Sequence, residues 1–131
     1  MRVLLDTHAL LCWLSDDVAP TRSARKIISD TKNTLIVSAA SAWEIGTKVK
    51  LGKLPTANDL AADFSSYIDR EGFQLLAISA GHGIRAGRLP GPHKDPFERM
   101  LIAQAQAENV PIISNEVMKR YLRATAFDAF W

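Results

Sequence analysis

A chain of 131 residues, 47% hydrophobic and 23% charged, has the ordinary composition of one globular domain with a real core. With 16 Lys and Arg against 14 Asp and Glu the net charge is only +2, so composition does not announce a nucleic-acid binder, although a local basic patch stays open. The longest apolar stretches, such as LIVSAASAW, are too short to span a bilayer, and MRVLLDTHALLCWL meets Asp6 before it could serve as a signal core, so a cytoplasmic protein without membrane contact is expected. One cysteine, Cys12, inside an apolar run excludes a disulfide framework and a thiolate metal site, and reads as a buried core thiol.

In chain order, RVLL (residues 2–5) reads as a strand ending at Asp6, and HALLCWLSDD continues with helical apolar spacing. Pro20 precedes TRSARKIISD, a more polar helix ending near Lys32 and Asn33. LIV (35–37) is a β-branched strand, and SAASAWEIGTKVKLGKL is a helix with Gly46 inside it and a break at Gly52 and Pro55. ANDLAADFSSYIDREG reads as one helix, FQLLAI (73–78) as a strand, and SAGHGIRAGRL as a short helix introduced by Ser79. The loop PGPHKD leads into the helix PFERMLIAQAQAEN, followed by the strand VPIIS, a short helix EVMKRY and an apolar patch ending in Trp131.

Strands separated by helices of this length imply parallel pairing through crossovers, with helices on both faces of the sheet. The expected fold class is therefore α/β, a single domain over residues 1–131 with a central parallel sheet of about four or five strands. In such sheets the ligand crevice lies beyond the carboxyl ends of the strands. That rule singles out Asp6 and Thr7, Ser38 with the helix after it, Ser79, and Ser114, Asn115 and Glu116.

Each acid near those positions has a local explanation. Asp6, with Thr7, suits a helix N-cap. Glu44 can pair with Lys48 at i,i+4. Asp95, Pro96 and Glu98 make a capping-box variant, and Asn115 and Glu116 open the short helix. Glu98, however, is followed at i+3, i+4 and i+7 by Leu101, Ile102 and Ala105, the stripe that packs into the core, and a carboxylate there needs a partner. Arg99 points to another face, whereas a divalent cation shared with Asp6 satisfies it. Like charges about 4 Å apart repel by roughly 4 kcal/mol at an effective dielectric near 20, so clustered acids call for a cation. Oxygen-only ligands suit Mg²⁺ or Mn²⁺.

In order and across nearly the whole chain, LLDTHALLCWL, SAASAWEIGTKVKLGKL, HKDPFERMLIAQA and SNEVMKRY resemble the PIN-domain ribonuclease toxins of the VapC type, from type II toxin–antitoxin systems. LDTH and HKDPFERMLIAQA are the specific segments. The resemblance implies a three-layer α/β/α PIN-like domain with Mg²⁺- or Mn²⁺-dependent endoribonuclease activity. It also implies a homodimer and a cognate VapB-type antitoxin whose C-terminal segment occupies the active groove. The family's acidic set falls on Asp6, Glu44 and the acid of the DPFER segment, which aligns with Glu98, with Asp95 a second acid on the same turn. Asp6 and Glu98 are then direct metal ligands, with Glu44 and Asp95 beside them orienting water, and Thr7, Ser114 and Asn115 complete the surroundings.

Two departures stand out. The family more often has DPFDR, so Glu98 is one methylene longer than usual. After the last strand the usual Ser/Thr-x-Asp is SNEV here, which leaves Glu116 or Asn115 in the fourth acid's place. Residues able to meet an RNA backbone are Lys48, Lys50, Lys53, His93, Lys94, Arg99 and Lys119; Trp13 or Trp43 could stack a base, though either reads first as core. His8 reads as a turn-stabilising hydrogen-bonding group. The alternatives are a catalytically weakened PIN-like RNA-binding module and a PIN-fold nuclease acting on DNA or flap substrates.

Overall fold

In a computed structural model, residues 1–15, 20–91 and 95–114 are described, together with the backbone of 129–130. Glu116, Asn115, His93, Lys94, Lys119, the EVMKRY helix and Trp131 lie outside the described residues.

Strand β1 (Arg2–Leu5) runs into helix α1 (Thr7–Leu14), α2 (Arg22–Ser29) leads to β2 (Thr34–Ser38), and β2 runs directly into α3 (Ala39–Lys50). A 3-10 turn (Pro55–Ala57), α4 (Asn58–Ala62) and α5 (Phe64–Arg70) precede β3 (Gln74–Leu76); then come α6 (Ala80–Arg88), α7 (Pro96–Glu108), β4 (Ile112–Ile113) and β5 (Ala129–Phe130). The five strands form one sheet in the order β3-β2-β1-β4-β5, and every pairing is parallel.

The apolar runs at the strands are continuous because both faces are covered. Val3 and Leu5, Leu35 and Val37, and Ile113 join the core on one side with Ala9, Leu10, Ala24, Ile28 and Ile68. Leu4, Ile36 and Ile112 point the other way and meet Leu101, Ile102 and Ala105 of α7. This period-two division of three adjacent strands yields three layers: α1, α2, α4 and α5 on one face, α7 on the other.

Three elements differ from the sequence expectation. The helix expected over ANDLAADFSSYIDREG is two helices broken at Asp63, whose backbone (φ −145°, ψ 52°) is not helical. Leu60 of the first helix and Ile68 of the second both enter the core. FQLLAI contributes only the three residues of β3, an edge strand bonded to β2 alone, and Leu75 and Ile78 are exposed. The third is β5, which was not expected: two residues carry too little pattern to read.

Between β1 and β4 the strand order reverses, so the crevice at the carboxyl ends of these strands is the topological switch point. The Asp6 N–H donates to the Ile113 carbonyl at 2.9 Å, which places the first residue after β1 beside Ser114, the first after β4.

Candidate active site

Two helix N-termini, those of α1 and α7, open onto that crevice, and α3 flanks it. Asp6 caps α1: its Oδ1 accepts from the Ala9 N–H at 2.6 Å, and the residue is only 2% exposed. Asp95 caps α7, its Oδ1 accepting from the N–H groups of Phe97 (2.9 Å) and Glu98 (3.2 Å), with Pro96 at the first helical position. Ser38 caps α3 through the Ala40 N–H at 2.9 Å, and Glu44 lies between one and two turns further along that helix, 5% exposed.

Together, Asp6, Glu44, Asp95 and Glu98 line one cleft of about 250 Å³, with Thr7, His8 and Lys48 also on its surface. Leu11, Leu54 and Leu101 form apolar wall. Glu44 is the most deeply held of the acids after Asp6, and its Oε2 accepts from Lys48 Nζ one turn along the same helix. The i,i+4 pair read from the sequence is thus present, and it lies inside the cleft.

Two buried bonds fix the helices that bear these acids. Thr7 Oγ1 and Ser41 Oγ are 2.9 Å apart, tying the first turn of α1 to α3. On the far side, the Ser38 hydroxyl donates to Gln104 Oε1 of α7. The Gln104 amide Nε2 in turn donates to the Ala77 carbonyl at 3.2 Å and faces His82 Nδ1 at 3.3 Å. His82 Nδ1 also receives the Ser79 N–H at 3.0 Å while the His82 N–H donates to Ser79 Oγ at 3.1 Å, a capping box for α6. Two N–H groups aimed at Nδ1 make it the acceptor and put the ring proton on Nε2. Gln104 and Ser38 are completely buried, so the bond between them ties α3 to α7 without competing water, and the network extends from there to α6.

Other candidates have different positions. Arg99 does not line the cleft: its guanidinium donates to the carbonyls of Ala86 (3.1 Å) and Leu89 (2.7 Å) and holds the end of α6. Trp13 packs against the core while its Nε1 donates to Glu71. Trp43 is not core; it is 57% exposed and meets Phe97 edge-on, with centroids 4.6 Å apart at 72°. Cys12 is buried as expected, and burial, with the Asp6 charge nearby, pushes its thiol pKa up. His8 keeps its ring near the Cys12 sulfur, with Nε2 at 3.6 Å, and partial burial lowers its pKa.

Gln104 went unnoticed at sequence level, although a glutamine on the stripe of Leu101 and Ala105 is the kind of polar residue that needs a buried partner. Leu54 had no usable signal, since it lies outside any helix or strand.

The structure resembles that of VapBC2 of Rickettsia felis, solved with a fragment of its promoter DNA: TM-score 0.70 at 18% identity, covering 100% of this chain and 99% of that one. It also resembles Mycobacterium tuberculosis VapC20, a toxin that cleaves the sarcin–ricin loop, with TM-score 0.66 at 12% identity and 95% of both chains covered. At these identities the likeness concerns the fold. The PIN domain family model matches residues 3–121. The chain belongs to the PIN-domain family. Ribonuclease VapC16 of Mycobacterium tuberculosis is 38% identical over 58 residues, a stretch covering 44% of this chain and 41% of that relative.

No ready-made metal group of three His, Cys, Asp or Glu side chains exists among the described residues. The donor chemistry of this PIN domain still fits a hard divalent cation, because the acids facing the cleft are all carboxylates. Ser114 Oγ, fully buried at the end of β4, has no hydrogen-bond partner among the described residues; it lies beside Asp6 but does not line the cleft.

Proposed function

We propose that this PIN domain is a divalent-metal-dependent endoribonuclease of the VapC type, the toxin half of a type II toxin–antitoxin pair. The observation behind this reading is the gathering of Asp6, Glu44, Asp95 and Glu98 in one cleft at the switch point of the sheet. Asp6 and Glu98 are the residues to hold Mg²⁺ or Mn²⁺, with Glu44 and Asp95 beside them and Ser114 behind. When bound, such an ion supplies Lewis-acid polarisation of a phosphoryl oxygen and acidifies the attacking water.

What the chain itself does follows from its geometry. Helix capping fixes the directions of Asp6 and Asp95, so their positions cost no reorganisation when substrate arrives. Glu44 is buried in the cleft with Lys48 as its ion-pair partner, and the leucine walls restrict water there. Lys48 is the cation placed to meet a phosphate. A VapB-type antitoxin as partner and a homodimeric, cytoplasmic protein belong to the same reading. Supporting this reading, the structural neighbours include VapBC2 of Rickettsia felis and FitAcB of Neisseria gonorrhoeae, the latter with TM-score 0.65 at 14% identity. No described helix is long and apolar enough to cross a membrane.

The test is cleavage of matched ribo- and deoxyribo-oligonucleotides and of total RNA, with Mg²⁺, Mn²⁺ or EDTA, beside Asp6→Asn. RNA cleavage is expected with either metal and is abolished by EDTA. The variant loses at least about 100-fold in rate, while its stability stays within about 0.5 kcal/mol because asparagine caps a helix as well as aspartate. Cleavage that survives both EDTA and the substitution refutes the proposal.

A further inference from the structure

Among the described residues that line the cleft, four carboxylates face a single formally cationic side chain, Lys48. Its ammonium is bonded to Glu44, whose side chain is almost fully buried, whereas that of Lys48 is 41% exposed. A buried carboxylate needs a counter-charge, and Lys48 supplies it from within the same helix. A divalent ion entering beside Glu44 brings two more positive charges to a carboxylate that is already neutralised. Ion and ammonium then compete. The lysine is the partner that can leave, having four rotatable side-chain bonds and a route to solvent.

On the proposed metal-dependent reading of this cleft, we infer that Lys48 is an exchangeable counter-ion: it holds Glu44 until the divalent ion binds, then turns to a phosphate of the RNA. Before loading, the pair reduces the repulsion among the acids. After loading, the same charge sits at the cleft lip, where the polyanion must pass. Metal binding is weakened by the pair, and RNA binding through Lys48 is conditional on metal. These two opposed effects separate the exchange from an ordinary i,i+4 helix pair.

Manganese binding to the full chain, measured by calorimetry for the parent, Lys48→Gln and Lys48→Arg, tests the first half. Lys48→Gln is expected to bind about five-fold more tightly and Lys48→Arg to resemble the parent. The second half is read from the anisotropy of a short fluorescent single-stranded RNA, with Ca²⁺ or with EDTA. Lys48→Gln is expected to weaken binding about three-fold and to lower the salt slope by about one with Ca²⁺, and to change neither in EDTA. Equal or weaker manganese binding by Lys48→Gln overturns the exchange while leaving the metal site standing. So does an RNA defect of the same size in both buffers. If neither parent nor variants bind manganese, the metal reading itself fails and the exchange with it.

Discussion

Replacing Gln104 with leucine removes the centre of the buried network while nearly preserving side-chain volume. In the parent, the amide satisfies the Ser38 hydroxyl proton and the Ala77 carbonyl and faces His82 Nδ1. Ser38 keeps the Ala40 N–H as a donor to its oxygen, and His82 Nδ1 keeps the Ser79 N–H. The one buried group left uncompensated is the Ser38 O–H, because Ala77 is exposed and its carbonyl can turn to water. At about 1–3 kcal/mol for a buried group left without a partner, the loss is about 1–3 kcal/mol. For 131 residues each kcal/mol lowers the Tm by about 4 °C, so a fall of about 4–12 °C is expected. Urea unfolding gives the free energy, and a cycle with Ser38→Ala isolates the bond, with a coupling of about 1 kcal/mol or more. A loss below about 1 kcal/mol, or additive effects in the cycle, refutes the network as a tie between α3 and α7.

Three further outcomes follow from single residues. Cys12, buried and with its pKa raised, should react with iodoacetamide at mildly alkaline pH far more slowly in the native protein than in urea; equal rates refute the placement. Because the folded thiol resists ionisation, its contribution to stability is present below pH 9.0, the ordinary thiol value, and is lost as pH rises above it. His8 has the opposite sense: its lowered pKa means that the unfolded chain takes up the proton first, so stability falls as pH drops below 6.5. His8→Gln should flatten that part of a denaturation profile, and an unchanged slope refutes the assignment. Asn109 ends α7 in the left-handed region (φ 53°, ψ 50°), so Asn109→Ala should cost about 1 kcal/mol and Asn109→Gly little or nothing, read from urea midpoints.

The fold was legible where burial imposes a period. VLL, LIV and II are continuous apolar runs because each strand is covered on both faces, and the helices between them leave only parallel crossovers. Legibility failed where one residue or one edge decides the outcome. The break at Asp63 rests on one residue's backbone between Leu60 and Ile68, whose helical spacing is equally that of an unbroken helix. β3 is short because only β2 is there to bond it. Trp43 shows the same limit: its type suggests core, but its place on α3 leaves it exposed beside Phe97.

At the candidate site the sequence posed a choice between a capping and a cleft-facing role for Asp6 and Asp95, and in the structure the two coexist. In a parallel sheet every strand end delivers the chain to the start of a helix, so a residue that faces the crevice is often a residue that can cap. Asp6 accepts the Ala9 N–H and still lines the cleft; Asp95 accepts two N–H groups and does the same. Capping then becomes a device for aiming a carboxylate, since a helix N-terminus both favours negative charge and restricts its direction. Glu44 and Glu98 lie beyond the cap positions and cannot be aimed that way. Their directions depend on how α3 and α7 are held, which is the work of Ser38 and Gln104. Gln104→Leu should therefore weaken manganese binding as well as stability, whereas Asn109→Ala, at the far end of α7, should reduce stability alone.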